Sequence, residues 1–350
     1  MSNKLNTAKH LQNVATRFCN LKSVEELPIL LKIKPEKLQA VLEKPTYKTL
    51  KIPKAEGKER LIEDATGDLK RIQKTLNMYL QSTYYTIKTK AAFGYVTNAR
   101  YDNDVRTYVT GALRHQKQLY LLNIDLQDFF HHITDEMILR LFQYFPFHFP
   151  TELAEALTKL VCYNGRLPMG THTSPSLSNF ALRQLDLDLQ SVAHRFYWQY
   201  TRYADDMSFS SKEVITEAQL KVVRSVIRKK GFEINDNKTQ WFTPDDVKIV
   251  TGILVLDDGL DLPKAFLNNL QEEVNKLKDI IDIQNQAGSV RTMWVDKFKR
   301  TIRGKLNYLM IVKGRGDLDY IQLTNEYKAA IRPPAEEFGA LSWKFFPYSH

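Results

Sequence analysis

Cysteine is almost missing: Cys19 and Cys162 are the only two in 350 residues. Two thiols cannot form a disulfide framework or a cysteine-based zinc site, so a reducing cytoplasm is the expected setting. Nor is there an apolar run of about 18 residues, the length a membrane-spanning helix requires. The polar stretch Met1 to Lys9 lacks the apolar centre of a signal peptide. No internal repeat and no low-complexity segment is visible.

What is present is ordinary for a globular chain, with 43% hydrophobic and 26% charged residues. Its length allows a large core and two or three subdomains. Lys+Arg exceeds Asp+Glu by 50 − 40 = 10, which favours polyanionic partners such as nucleic acid. The cations cluster at Lys51 to Arg60, Lys221 to Lys230 and Lys297 to Lys305. Among them stand 17 Tyr, 18 Phe and 4 Trp, some of which can stack on bases while most suit a core.

Apolar spacing predicts two or three short helices over 5–45, then a hairpin over 48–63 with a polar loop. A helix follows over 68–86, with Leu69, Ile72, Leu76, Tyr79 and Leu80 on one stripe. Further helices are expected at about 99–115, 134–144, 150–162, from Pro175 to Val192, and at 216–230. Tyr120 to Ile124 reads as a buried strand, and one or two strands lie between Trp241 and Val255. From about 263 onward the chain reads as helical, with interruptions at Gly314-Arg315-Gly316 and Pro333-Pro334. This is an α+β pattern: a small sheet against helices, with helical regions on either side.

Tyr203-Ala204-Asp205-Asp206 is the most informative local feature. Two adjacent carboxylates sit between β-prone runs, Gln199 to Tyr203 and Met207 to Ser210. Such acids repel, so a pKa should rise there unless a cation neutralises them. A solvated turn would look the same in isolation. A two-metal site needs acids from separate elements around cations roughly 3.5–4 Å apart. Asp125, closing the strand Leu121 to Ile124, meets that need; the alternative of a helix N-cap suits Asp128 better.

Taken in order, these motifs resemble a reverse transcriptase. Tyr203 to Asp206 is similar to that family's catalytic hairpin, and Asn123 to Phe130 to its first aspartate motif. Leu167 to Asn179 resembles its template- and dNTP-contacting loop and helix. Gly231 to Thr239 resembles its glycine-to-lysine motif, and Arg303 to Tyr308 its thumb signature. The resemblance implies a right-hand polymerase fold of fingers, palm and thumb, with a small antiparallel palm sheet and a helical thumb. It divides the chain into an N-terminal helical segment (1–47), fingers (48–118), palm with inserted fingers helices (119–262), and helical thumb with C-terminal tail (263–350).

It also implies residue roles. Asp125, Asp205 and Asp206 would be catalytic and hold two Mg²⁺, with Mn²⁺ as the alternative ion. Lys54, Arg60, Phe130, Met169, Gly170 and Lys238 would bind the dNTP. Phe130, five residues after Asp125, would gate the sugar against a 2′-hydroxyl. Tyr203, Asn179, Arg300, Arg303 and Lys305 would contact nucleic acid, and Asn179 would also support the centre through hydrogen bonds. Met169 departs from the family's usual glutamine. His131-His132 reads as structural.

The chain looks most like bacterial retron and defence-associated enzymes. Val250-Thr251-Gly252 matches a retron element. Asn98-Ala99-Arg100-Tyr101-Asp102 resembles another, with Asp102 in place of histidine. The implied partners are a structured non-coding RNA as template and primer, the DNA product, dNTPs, and a second copy or an effector protein, without a membrane, in the bacterial cytoplasm. The implied role is phage defence. Other readings are untemplated or protein-primed synthesis, a group II intron-like enzyme, and an RNA-binding scaffold without chemistry.

Overall fold

The computed structural model describes residues 7–53, 59–286 and 293–332. Contacts gather the chain into two units, Met1–Asp246 and Val247–His350.

In the first unit the early helices form as the spacing predicts: α1 (Ala8–Cys19), α2 (Leu27–Leu31) and α3 (Pro35–Glu43). Leu27, Leu30, Leu31 and Leu38 are buried. β1 (Tyr47–Pro53) and β2 (Glu59–Ala65) pair as a hairpin, with Ile52 opposite Arg60. α4 (Gly67–Ile87) buries the whole stripe Leu69, Ile72, Leu76, Tyr79 and Leu80. Each such Leu or Ile contributes about 1.5–3 kcal/mol by leaving water, so this stripe anchors the helix. Phe18 of α1 meets Tyr79 with ring centres 5.6 Å apart.

One expected helix is mostly absent. Across 99–115 only α5 (Tyr108–Leu113) is helical. Side chains claim the backbone before it. Asn98 accepts from the Arg106 N–H at 2.6 Å and donates to the Arg106 carbonyl at 3.0 Å. Asp102 accepts from the Asp104 N–H at 3.0 Å and pairs with Lys88 at 3.4 Å. Such bonds compete with a helical ladder. Seated this way, the Arg106 guanidinium donates to the carbonyls of Thr89, Lys90 and Ala92.

The central sheet holds β3 (Tyr120–Asp125), β4 (Gln199–Tyr203), β5 (Asp206–Ser211) and β6 (Gln240–Phe242), in the antiparallel order β4-β5-β3-β6. Leu121, Leu122, Ile124, Met207 and Phe209 are buried. The polar positions between them are satisfied internally. Ser208 donates to Asn123 at 2.8 Å, and His115 bridges the hydroxyls of Ser210 and Thr201 at 2.7 Å each. Helices α6 (Asp135–Gln143), α7 (Thr151–Val161), α8 (Ser174–Ala181), α9 (Arg183–Arg195) and α10 (Glu217–Lys229) complete the unit. The single helix expected over 175–192 is thus two, meeting at Leu182, whose ψ of −3° leaves the α-helical range.

The second unit opens with a three-stranded antiparallel sheet, β7 (Lys248–Val250), β8 (Ile253–Val255) and β9 (Leu260–Asp261). β6, β7 and β8 make three strands between Gln240 and Val255, where one or two were expected between Trp241 and Val255. Val250-Thr251-Gly252 is the β7–β8 turn: Thr251 at φ 50° and Gly252 at φ 81° both stand in the left-handed region, as a two-residue hairpin loop of the I′ type demands. Helices α11 (Lys264–Gln286), α12 (Met293–Lys313) and α13 (Leu318–Ala330) follow. Leu270, Val274 and Leu277 of α11, Ile302, Leu306 and Leu309 of α12, and Leu323 of α13 are buried. Pro333-Pro334 lies outside the described residues.

Candidate active site

Register brings the acids together. In the β3–β5 ladder Asp125 stands opposite Asp206, and in the β4–β5 ladder Tyr203 stands opposite Asp206. Ala204 and Asp205 form the two-residue loop between the strands. Ala204 has φ 59°, a conformation that penalises any side chain and suits a small one. The Leu126 N–H donates to the Asp205 carbonyl at 3.1 Å, tying the end of β3 to the loop.

Electrostatics in this corner favour a cation. Burial, then the charges of Asp205 and Asp125, push the Asp206 carboxyl up to about 7. Burial and Asp125 raise Asp205 as well, while Lys238 and Arg60 pull it down. Lys238 Nζ lies 2.9 Å from Asp125 Oδ2. Among the described residues no group of three or more His, Cys, Asp or Glu already stands as a metal cage; Asp125 is engaged by an ammonium instead. The donor set nonetheless fits a hard divalent ion. All three groups supply carboxylate oxygen, and two of them have their ionised form disfavoured until positive charge arrives.

The other expected contacts fall around these acids unevenly. Phe130 is half-buried beside fully packed Phe129, with ring centres 4.9 Å apart. Arg60 is exposed on β2 and its charge reaches Asp205. Lys54 lies outside the described residues. The Met169 carbonyl accepts from the Glu63 N–H at 2.7 Å. Gly170 has φ 113°, and a Cβ there would come within 2.6 Å of Ile62. The neighbour that demands glycine is therefore the β1–β2 hairpin. Tyr203 is half-buried against Tyr95, with ring centres 6.2 Å apart.

Asn179 needs correction as a nucleic-acid contact. It is fully buried, donates to the Gly94 carbonyl at 2.9 Å and accepts from Arg202 at 3.1 Å. Both ends of its amide are spent inside the protein, which leaves the supporting role. In the second unit, Arg300 and Arg303 are exposed on α12, whereas Lys305 is paired with Glu273 at 2.6 Å. Of the two histidines, His131 faces buried Glu63 at 3.9 Å, and His132 reaches the Asp128 carbonyl at 3.2 Å.

Two ion pairs escaped sequence reasoning. Arg166 grips buried Glu63 with Nη1 at 2.9 and 3.2 Å, fastening the hairpin that carries Arg60 to the loop that carries Met169. Arg202 and Asp186, both fully buried, pair beneath the acidic turn. For Arg202 the available signal was an arginine within a β-prone run beside the acidic turn, a position that demands a partner when buried.

Comparison with known proteins agrees with this geometry. The sequence matches the family described as reverse transcriptase (RNA-dependent DNA polymerase) over residues 52–281. It is 29% identical over 228 residues to the retron Mx65 reverse transcriptase of Myxococcus xanthus, covering 60% of this chain and 51% of that one. It is 28% identical over 178 residues to the retron Ec86 reverse transcriptase of Escherichia coli, covering 49% and 53%. With the retron Ec83 reverse transcriptase of Escherichia coli it shares 29% identity over 287 residues, covering 77% and 86%. The chain thus spans about half the length of the first two of these relatives and most of the third.

Proposed function

Because this chain belongs to the reverse transcriptase (RNA-dependent DNA polymerase) family, we propose that it synthesises DNA from dNTPs on an RNA template, as a retron-type bacterial enzyme. It has that family's α+β right-hand polymerase fold. The observation that carries the reading is the cross-strand pairing of Asp125 with Asp206, beside Asp205, in a corner where burial and repulsion already hold Asp205 and Asp206 above their ordinary pKa. In this assignment 1–47 is the N-terminal helical segment, 48–118 the fingers, 119–262 the palm and 263–350 the thumb and tail.

Asp125, Asp205 and Asp206 would hold two divalent ions, Mg²⁺ with Mn²⁺ as substitute. When bound, such ions lower the pKa of a primer 3′-hydroxyl and neutralise the triphosphate and leaving pyrophosphate. The chain's own residues do the rest. Arg60, with Lys54, binds triphosphate oxygens, and a guanidinium does so bidentately. Phe130 presses on the sugar and disfavours a 2′-hydroxyl. Met169 and Gly170 border the nucleotide. Lys238, already beside Asp125, is the proton donor nearest the acids for a departing pyrophosphate. Tyr203 in the first unit, and Arg300, Arg303 and Lys305 in the second, contact nucleic acid.

The template and primer we propose are a structured non-coding RNA, recognised by shape and backbone, in a phage-defence setting in the bacterial cytoplasm. Support comes from the retron relatives, the net charge of +10 and the two unpaired cysteines. No helix among the described residues is long and apolar enough to cross a membrane. A second copy or an effector protein completes the assembly in this reading. Met169, an apolar side chain at the nucleotide loop, favours a second reading of untemplated or protein-primed synthesis. One experiment addresses both: purify the protein with its nucleic acid, sequence RNA and DNA, and assay Mg²⁺-dependent dNTP incorporation. Product complementary to the bound RNA supports the first reading, and product unrelated to any bound RNA supports the second. No incorporation by the parent protein under any template condition overturns both.

A further inference from the structure

Arg202 is the fourth of the five residues of β4 and is fully buried. A guanidinium out of water persists only where its donors are paired. Asp186 of α9 takes Nε and Nη2, each at 2.7 Å, in a fork. That carboxylate also accepts from the Tyr200 hydroxyl and the Thr89 hydroxyl, each at 3.0 Å. The pairing leaves Nη1 over. Nη1 donates to Asn179 Oδ1 and to the Ala204 carbonyl, both at 3.1 Å.

Ala204 is the left-handed residue that sets the direction of Asp205. Its other side is confined too. Asn179 donates to the Gly94 carbonyl at 2.9 Å, and a Cβ on Gly94 would lie 2.7 Å from the Ala204 nitrogen. The same segment pairs with β4, through Arg202 N–H to the Ala91 carbonyl at 2.7 Å and Phe93 N–H to the Arg202 carbonyl at 2.8 Å. The turn is therefore wedged between a backbone that tolerates only glycine and a guanidinium that holds its carbonyl.

Resting on the polymerase reading above, we infer that Arg202 is a positioning residue: clamped by Asp186 and Asn179, it fixes the Ala204 carbonyl and so the aim of Asp205 and Asp206. Geometry is the currency here, since Asp186 neutralises the guanidinium and the charges acting on Asp206 are those of Asp205, Asp125 and Lys238. A lysine would keep the charge but lacks the planar fork that serves Asp186, Asn179 and Ala204 at once.

The test uses the full chain extending an oligo(dT) primer on poly(rA) with dTTP, together with Mn²⁺ affinity from water-proton relaxation. Arg202→Lys is expected to lower kcat at least tenfold, leave the dTTP KM within twofold and weaken Mn²⁺ binding severalfold. A merely structural role would instead lower the melting temperature while leaving kcat per folded molecule and Mn²⁺ affinity at parental values, and that result overturns the inference. Gly94→Ala presses on the same turn from outside the ion pair and should give the same pattern. If Arg202→Lys does not fold, a folded Gly94→Ala with parental kcat and Mn²⁺ affinity overturns the inference alone. If the parent incorporates no dNTP on this template or on its co-purified RNA, the polymerase reading fails, and the Mn²⁺ affinities of parent and variants still decide the role of Arg202.

Discussion

Asp125 and Asp206 face one another across neighbouring antiparallel strands, an arrangement of like charges that destabilises a sheet unless something intervenes. The structure accommodates it in two ways. Lys238 covers the outer acid, and Asp206 holds its proton up to about pH 7.

Stability without metal should therefore depend on pH in a particular direction. The Asp206 pKa is raised on folding, so its stabilising contribution is complete below about 3.8 and disappears as pH climbs through about 7. The effect is at most about 4 kcal/mol, from roughly 1.4 kcal/mol per pKa unit. In EDTA the melting temperature should fall between pH 5 and 8, more steeply than in Asp206→Asn, and millimolar Mg²⁺ should flatten the slope. Parallel slopes for parent and variant would count against the assignment.

Asp205→Asn is expected to remove dNTP incorporation by roughly a thousandfold or more, since about 4 kcal/mol of charge stabilisation disappears with the carboxylate. Its fold should survive, because Asp205 meets its neighbours through backbone, as in the Leu126 N–H bond to its carbonyl. Primer extension compared with circular dichroism separates the two. A folded variant with parental activity would be incompatible with a catalytic Asp205.

Phe130→Ala should relax sugar selection. Opening the half-buried ring position removes a steric penalty, and discrimination between dTTP and UTP is expected to fall by about 10- to 200-fold, the range a small steric difference supplies. Competition kinetics with both nucleotides would measure it. Unchanged discrimination would place the gate elsewhere.

Glu63 and Arg166 offer a separate handle. Removing one partner of a buried ion pair costs about 3–5 kcal/mol, and here it also frees the hairpin carrying Arg60 from the Met169 loop. Glu63→Gln should melt earlier and show a raised dNTP KM. Combining Glu63→Arg with Arg166→Glu should restore part of both. If the single variant keeps its KM, the pair serves stability alone.

His115 predicts the opposite pH slope from Asp206. Burial lowers its pKa from 6.5 to about 3, so it stays neutral between the hydroxyls of Ser210 and Thr201. Stability from this group is complete above about 6.5 and drains away as pH falls toward 3. Urea midpoints at pH 7 and 5 should differ more in the parent than in His115→Phe, which should itself be destabilised by about 1–3 kcal/mol through two orphaned hydroxyls. Equal pH differences would remove His115 from the account.

Local patterns carried much of this architecture. The α4 stripe, the strand ending at Asp125 and the hairpin at Asp205 were legible because periodicity and charge placement lie along the chain itself. The helix expected over 99–115 was not, because Asn98 and Asp102 divert the backbone through side-chain bonds that composition does not reveal. The pairs Glu63–Arg166 and Asp186–Arg202 were hidden for another reason. Each joins residues on different elements, one pair 103 positions apart, and only the tertiary fold brings them face to face.

The Asp102 fastening has a consequence for the conditions under which the 88–106 loop stays closed. An imidazole at that position would gain and lose its charge near neutrality, and the loop's grip would vary with it. Partial burial of Asp102 favours its protonated form, yet bonds from the Asp104 and Ala99 N–H groups and the Lys88 ammonium hold its carboxyl below the usual range. The loop that seats Arg106 thus keeps its carboxylate fastening as pH falls below neutrality.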